Sequence, residues 1–187
     1  GIFGQKYDSA GQAIGDEFQA NSHIMNGQYE ASVSNLADGG FVVVWMSEDQ
    51  DGSSAGVYGQ RYDNNGLELG EEFIINTETD YAQYNPKVIA LADGGFLVSW
   101  TSNYQDGDGS GVYAQMFDAN GAAQNSEFQI HTSASGDQQT SSSAIFSDGG
   151  FVITWQSSNE YADIFAQRFN SNGDRDGSEL IVTDQGD

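Results

Sequence analysis

Asp38-Gly39-Gly40-Phe41-Val42-Val43-Val44-Trp45 returns as Asp93-Gly94-Gly95-Phe96-Leu97-Val98-Ser99-Trp100 and again as Asp148-Gly149-Gly150-Phe151-Val152-Ile153-Thr154-Trp155. The aspartates stand at 38, 93 and 148, a period of 55 both times, and a constant period of that size marks a repeat architecture. Each octapeptide reads as a tight Asp-Gly-Gly turn, whose glycines tolerate positive φ, feeding an apolar run of strand formers that ends on an indole.

A second segment recurs between the octapeptides, at Ile2 to Asn21, Val57 to Asn76, Val112 to His131 and Ile164 to Thr183. It has one copy more than the octapeptide, and its last copy follows after 52 residues instead of 55, which places a three-residue deletion in a loop. In the middle repeat four strands are expected: a from Lys87 to Leu91, b from Gly95 to Ser102, c from Gly111 to Asp118 and d from Glu127 to Thr132. Strand b is apolar on both alternating faces and is expected to be covered on both sides. Strand c interleaves Gln60 and Arg61 with Tyr58 and Tyr62 and reads as a strand nearer solvent. Asp63-Asn64-Asn65-Gly66 and Asp118-Ala119-Asn120-Gly121 supply the c–d turns.

Consecutive hairpins imply an antiparallel meander, and four strands in a unit of roughly 40 to 55 residues is the pattern of a β-propeller blade. The sequence thus predicts a single all-β, β-propeller-like repeat domain over 1–187, with a half repeat at 1–25 and full units at 26–80, 81–135 and 136–187. The alternative is a β-trefoil, which also has three internal repeats of four strands; the extra c–d half at the N-terminus argues against it. About three and a half blades are fewer than the roughly four to eight of ordinary propellers. Self-association follows as an expectation, either as a dimer completing about seven blades or as a segment of a longer array.

Bulk composition narrows the partners. The chain carries 28 acidic residues against 5 basic ones, a net charge of −23, which argues against nucleic acid and anionic lipid, since both need cationic surface. With no cysteine there are neither disulfides nor thiolate metal sites, so a metal would sit among oxygen ligands, which favours calcium over zinc. No apolar stretch approaches the roughly 18 residues of a membrane span, so membrane insertion is not expected, and Gly1-Ile2-Phe3-Gly4 does not read as a signal peptide.

The compound pattern of DGGF to Trp, then QDG before GVYGQRYD and EF before Asn, resembles the tandem repeats of very large secreted bacterial proteins of the calcium-dependent adhesin and hemolysin-like type. The resemblance covers essentially the whole chain. It implies an extracellular or cell-surface setting, a long array and an adhesive role, and it implies little about any activity.

Three groups of candidate residues follow. In the b–c loops, Glu48-Asp49-Gln50-Asp51-Gly52-Ser53 and Tyr104-Gln105-Asp106-Gly107-Asp108-Gly109-Ser110 alternate carboxylates with glycines, so Asp49, Asp51, Asp106 and Asp108 are candidate calcium ligands; the competing reading is a solvated acidic turn. Full calcium coordination takes roughly six to eight oxygens, more than either loop holds. The third loop, from Ser157 to Asp163, lacks the Asp-Gly pair. For carbohydrate, Gln28, Gln83 and Gln138 recur at the period beside Tyr29 and Tyr84 in apparent loops, as candidate amide and aromatic contacts of a lectin-like module; the competing reading for the glutamines is satisfaction of buried backbone. Trp45, Trp100 and Trp155 read as inter-blade packing. An enzyme is not expected: the two histidines are His23 and His131, the sibling positions of His131 are Asn21, Asn76 and Thr183, and neither a nucleophile elbow nor a phosphate loop is found. Three functions fit these features: a structural or adhesive module, a lectin-like module, and a subunit self-assembling by strand exchange.

Overall fold

The computed structural model describes residues 1–158 and 162–183. Its hairpins start from the Asp-Gly-Gly turns. The Asp38 carboxylate accepts from the Gly40 N–H at 2.8 Å, and the Leu36 N–H donates to the Gly40 carbonyl at 2.8 Å. Gly39 has φ 86, and a Cβ on Gly40 would lie 2.3 Å from the Tyr62 carbonyl oxygen, so both glycines are required by geometry. The c–d turns use the same device. Asp63 accepts from the Asn65 and Leu67 N–H groups at 2.8 Å each. The bond from Leu67 is the main reason Asp63 is held below its ordinary carboxylate range, and the bond from Ala122 does the same for Asp118.

Fourteen strands follow among the described residues. β1 (Phe3–Tyr7) and β2 (Ala13–Gln19) form a two-stranded sheet. Three four-stranded antiparallel sheets come next: β3 (Gln28–Asn35), β4 (Phe41–Glu48), β5 (Ala55–Tyr62) and β6 (Glu68–Ile74); β7 (Gln83–Ala90), β8 (Phe96–Asn103), β9 (Ser110–Phe117) and β10 (Ala123–Gln129); β11 (Asp137–Ile145), β12 (Phe151–Ser158), β13 (Ala162–Phe169) and β14 (Leu180–Thr183). Each repeat keeps its a, b, c and d strands in sequential order in a sheet of its own, as a propeller blade does and a trefoil does not. The innermost strands meet one another, β3 packing on β7 and β7 on β11, while the d strands lie outside with exposed side chains. The fold is all-β and β-propeller-like: three blades preceded by the outer half of a fourth.

Strand a begins at Gln83, four residues earlier than Lys87. Tyr84 pairs with Thr101 and Lys87 with Ser99, a one-residue bulge at Asn85, whose φ is 54; Glu30 and Thr140 take φ 57 and 56 at the same place. Strand d begins at Ala123 and not at Glu127, because a second bulge interrupts it. Gln124 pairs with Met116 and Phe128 with Ala114, and Asn125 turns through φ 61 where Gly15, Gly70 and Gly177 do the same.

That second bulge explains a larger correction. Strand c is buried along its whole length in β5 and β9, not nearer solvent. Its glutamines point inward and fill the gap in strand d: Gln60 Nε2 donates to the carbonyls of Arg61 and Gly70, and Gln115 Nε2 to those of Met116 and Gln124. Gln5 and Gln167 repeat these bonds. A buried amide satisfied this way costs little, whereas an unsatisfied one is expensive.

The core is a series of seams between blades. In the middle seam Leu36, Val42, Val44, Val57 and Ile75 of one blade meet Val88, Phe96, Val98, Trp100, Tyr113 and Phe117 of the next. Leu91, Leu97, Val112, Ala114 and Ile130 meet Phe151, Ile153, Trp155 and Phe169 at the same positions one repeat on. All three tryptophans are buried between blades, as expected: Trp100 and Trp155 in these seams, and Trp45 against Ile2 and Ala20 of the half-blade. Phe96 stacks on Phe117 at 4.9 Å, and Phe73 from the preceding blade tilts onto Phe117 at 5.8 Å. Replacing Trp100 by Ala is expected to cost about 3–5 kcal/mol in urea denaturation, while Ala at the exposed Val33 stays within about 0.5 kcal/mol. A cost at Trp100 no greater than at Val33 would show that the seams do not hold the blades.

Candidate functional site

The b–c loops gather at one end of the blades with the segments that lead into strand a. The bonds in them come from the repeat itself. In the first blade Asp49 Oδ2 accepts from Asn26 Nδ2 at 3.2 Å, Glu48 Oε2 from the Gly27 N–H at 3.0 Å, and Asp51 Oδ1 from the Ser53 N–H at 3.0 Å. Gln50 Nε2 donates to Glu72, whose other oxygen accepts from the Ser22 N–H at 2.7 Å and so ties β6 to the segment following β2. Glu127, bonded to Gln105 and to the Thr77 N–H, repeats this clamp, and Glu179 bonds the Thr132 N–H.

The four loop aspartates are thereby spread over different partners. Asp106 is turned inward, its side chain 3% exposed and 3.5 Å from His131 Nε2, while the exposed Asp108 accepts from the Gly136 N–H at 3.3 Å. Among the described residues no three His, Asp or Glu side chains form a metal-holding group. Asn159, Glu160 and Tyr161 of the third loop lie outside the described residues.

The carbohydrate candidates separate as well. Gln28, Gln83 and Gln138 are buried, a correction to their reading as pocket amides. Gln83 Oε1 accepts from Asn76 Nδ2 at 3.2 Å and its Nε2 donates to the Asp80 carbonyl at 2.9 Å, so it locks the crossover between blades; Gln28 does the same with Asn21 and Met25. Tyr29 and Tyr84 lie within β3 and β7, not in loops. Tyr29 is exposed, and Tyr84 bonds Ser110 Oγ at 3.4 Å.

A different aromatic pair stands out at this end. Tyr81 and Tyr104 occupy the places of Asn26 and Asp49, and their rings meet at 5.2 Å, tilted by 58°. They are 58% and 57% exposed and hold φ values of 64 and 57. A bulky residue in this region is strained by about 1–3 kcal/mol. Aligning the repeats column by column shows the substitution, but not that the two columns meet in space.

His131 stands where two sibling repeats carry an asparagine, Asn21 and Asn76, and the last carries Thr183. Asn76 Nδ2 donates to the Glu78 carbonyl at 2.8 Å and to Gln83, and its Oδ1 accepts from the Val57 N–H at 2.7 Å. His131 Nδ1 keeps only the first of these, donating to the Ser133 carbonyl at 2.7 Å. Gln138 Oε1 is left buried with no donor. Gln129 Nε2 lies 3.2 Å from His131 Nε2 and 3.5 Å from Asp106 Oδ2, which places a donor between the two groups. Burial holds His131 below its ordinary value of 6.5, opposed by Ser133, Asp106 and Glu179, with Arg175 adding to the depression. Tyr113, whose ring meets His131 edge-on, is pushed up by burial first and then by Asp106.

No family model matches the chain, and no curated protein matches it. Among solved structures, a protein of unknown function from Dyadobacter fermentans DSM 18053 is similar over 98% of this chain and 58% of that one, with 13% identity and a TM-score of 0.68. The endo-arabinase from Bacteroides thetaiotaomicron VPI-5482 gives 85% and 57% coverage, 13% identity and a TM-score of 0.49. The chain thus spans 58% and 57% of these longer chains, and the first similarity shows the fold.

Asn at position 131 restores the sibling bonds to Val112 N–H and Gln138. His131→Asn is expected to stabilise the fold by about 1 kcal/mol. A histidine kept neutral in the fold takes up its proton on unfolding, so its share of stability is present above about 6.5 and lost as pH falls through the depressed value. Thermal melts from pH 7.5 to 5 should therefore flatten in the variant; an unchanged slope rules out His131 as its source.

Proposed function

We propose that the chain is a non-enzymatic structural and adhesive module of a large extracellular protein, a run of blades whose end faces meet further blades. The observation that supports this most directly is the contrast between internal and terminal positions of the same repeat. Val33 is 63% exposed where Val88 is 6% exposed. At the other end Val182 is 58% exposed, where Ile75 and Ile130 are 2% and 0% exposed. Side chains built for a seam stand uncovered at both ends, and exposed apolar patches of this kind mark interaction surfaces. The resemblance to repeats of large secreted bacterial proteins supports the extracellular setting and the adhesive role, and the strongly acidic composition agrees with it.

Sedimentation equilibrium tests this reading. The apparent mass is expected to rise with concentration, and Val182→Lys, which places a charge on the last blade's outer face, is expected to weaken association at least tenfold. A single monomeric mass at all concentrations, unchanged in the variant, would be evidence against end-to-end assembly.

A second reading, a lectin-like contact, is favoured by Tyr81 and Tyr104. Exposed aromatic faces stack on the apolar face of a sugar ring, and the surrounding carboxylates favour neutral or cationic saccharides over acidic ones. A glycan array should show binding that the double variant Tyr81→Asn and Tyr104→Gly abolishes. The melting temperature should hold or rise, because the substitutions suit the left-handed backbone. Binding unchanged by the double substitution would remove this pair from the reading.

A further inference from the structure

The seam between the second and third blades is cut differently at its outer rim from the two before it. Strand c carries a cation there in the half-blade and in the first blade, Lys6 and Arg61, and each reaches into the c–d turn of the following blade. Lys6 Nζ donates to the Asn64 carbonyl at 2.7 Å, and Arg61 Nη2 donates to that of Ala119. Arg61 lies over Gly121: its Cδ is 2.9 Å, and its Nε and Nη1 are 3.7 Å, from the place of a Cβ on that glycine. The second blade has Met116 instead. Its Sδ is 2.8 Å from the same place on Gly173, so the thioether follows the arginine as far as Cδ and then ends in a methyl group. A thioether has no donor to give to the turn of the third blade.

Three further residues change in the same seam. Gln124 stands where Ile14 and Leu69 are, Asn125 where Gly15 and Gly70 are, and Asp174 where Leu67 and Ala122 are. Asn125 keeps the left-handed backbone of those glycines, with φ 61. All three line, with Met116, Phe128 and Gly173, a cavity of about 340 Å3 at the rim. Ligand pockets span about 300 to 1,000 Å3, so this one suits a small group. A place held elsewhere by a cation among aliphatic side chains has lost the cation and gained two amides and a carboxylate. Arg175, next to Asp174, does not make up the loss: its guanidinium bonds the carbonyls of Gln129 and His131 and Oε1 of Gln167.

We propose that this cavity binds a guanidinium group on a short alkyl arm. The group takes the place that the Arg61 guanidinium holds one seam earlier, against Gly173 and the Ser171 carbonyl, the counterpart of the Ala119 carbonyl. Asp174 balances its charge together with the exposed Asp93, the counterpart of the Asp38 that lies 3.9 Å from Arg61 Nη2. The alkyl arm packs on Met116 and Phe128, and the amides of Gln124 and Asn125 supply acceptors for the remaining N–H groups. A planar cation with several fixed donors suits such a ring of acceptors better than a point charge does. The site lies at the opposite end of the strands from Tyr81 and Tyr104 and is independent of both readings above.

The probe is N-propylguanidinium, followed by amide NMR shifts of the whole chain in about 0.15 M sodium chloride, which screens diffuse attraction to the net charge of −23. Saturable shifts are expected at residues 116, 124–126 and 173–174, with at least tenfold weaker binding of N-propylurea, the neutral analogue of the same shape. Met116→Arg should abolish the binding, because its own guanidinium fills the place, and should raise the melting temperature. Asp174→Ala, which installs the residue of the preceding turn, should weaken binding at least fivefold and leave the melting temperature unchanged. A blocked tripeptide with arginine at its centre distinguishes the source of the group. Binding at least tenfold tighter than the probe's assigns it to an arginine side chain of a protein partner, and equal or weaker binding to a free small cation. Equal binding of N-propylurea, shifts spread over the acidic surface without saturation at these residues, or binding unchanged in either variant would overturn the proposal. None of these results bears on association through Val182, so the array reading stands or falls separately on sedimentation.

Discussion

The structure depends on the apolar seam between successive blades. A four-stranded sheet of this size cannot bury both faces alone, so each blade is stable only where a neighbour covers it. The two seams between complete blades are built from the same two surfaces: the b, c and d strands of one blade, with Val42, Val57 and Ile75 as the type case, and the a, b and c strands of the next, with Val88, Phe96, Trp100 and Phe117. The tryptophan at the end of strand b is the largest side chain in each seam, and its burial makes the octapeptide a structural element instead of a recognition motif.

The seam also explains why the ends matter. A quasi-one-dimensional array has two surfaces that its own chain does not cover, and natural arrays need caps or further repeats there. In this chain the first complete blade offers Val33 and the last offers Val182. The half-blade partly shields one end, since Ile2, Phe18 and Ala20 reach Trp45 and Tyr62. Among the described residues β1 pairs with β2 alone.

Much of this was legible in the sequence because the repeat prints its own alignment. The hairpin turns, the four strands, the blade order and the burial of the tryptophans follow from period, turn chemistry and hydrophobic alternation. The candidate sites were less legible. The alternation in Asp49 to Ser53 is consistent with convergent ligands, yet Asp49 reaches across to Asn26 while Asp51 caps its own turn. Gln28, Gln83 and Gln138 recur as binding residues would, but the recurrence serves the crossover between blades. Burial of strand c was missed for a related reason: Gln60 and Gln115 are polar by type and are satisfied only by carbonyls that a bulge in strand d exposes.

By itself, the sequence determined the repeat unit, its strands and turns, and the mismatch between three octapeptides and four c–d segments, because these depend on local conformational preference and on periodicity along the chain. Tertiary structure alone decided which polar side chains face inward, that Tyr81 and Tyr104 meet across two loops, and that Met116, Asn125 and Asp174 line one cavity. Those facts depend on distances between residues far apart in the chain, which spacing along a single strand does not fix.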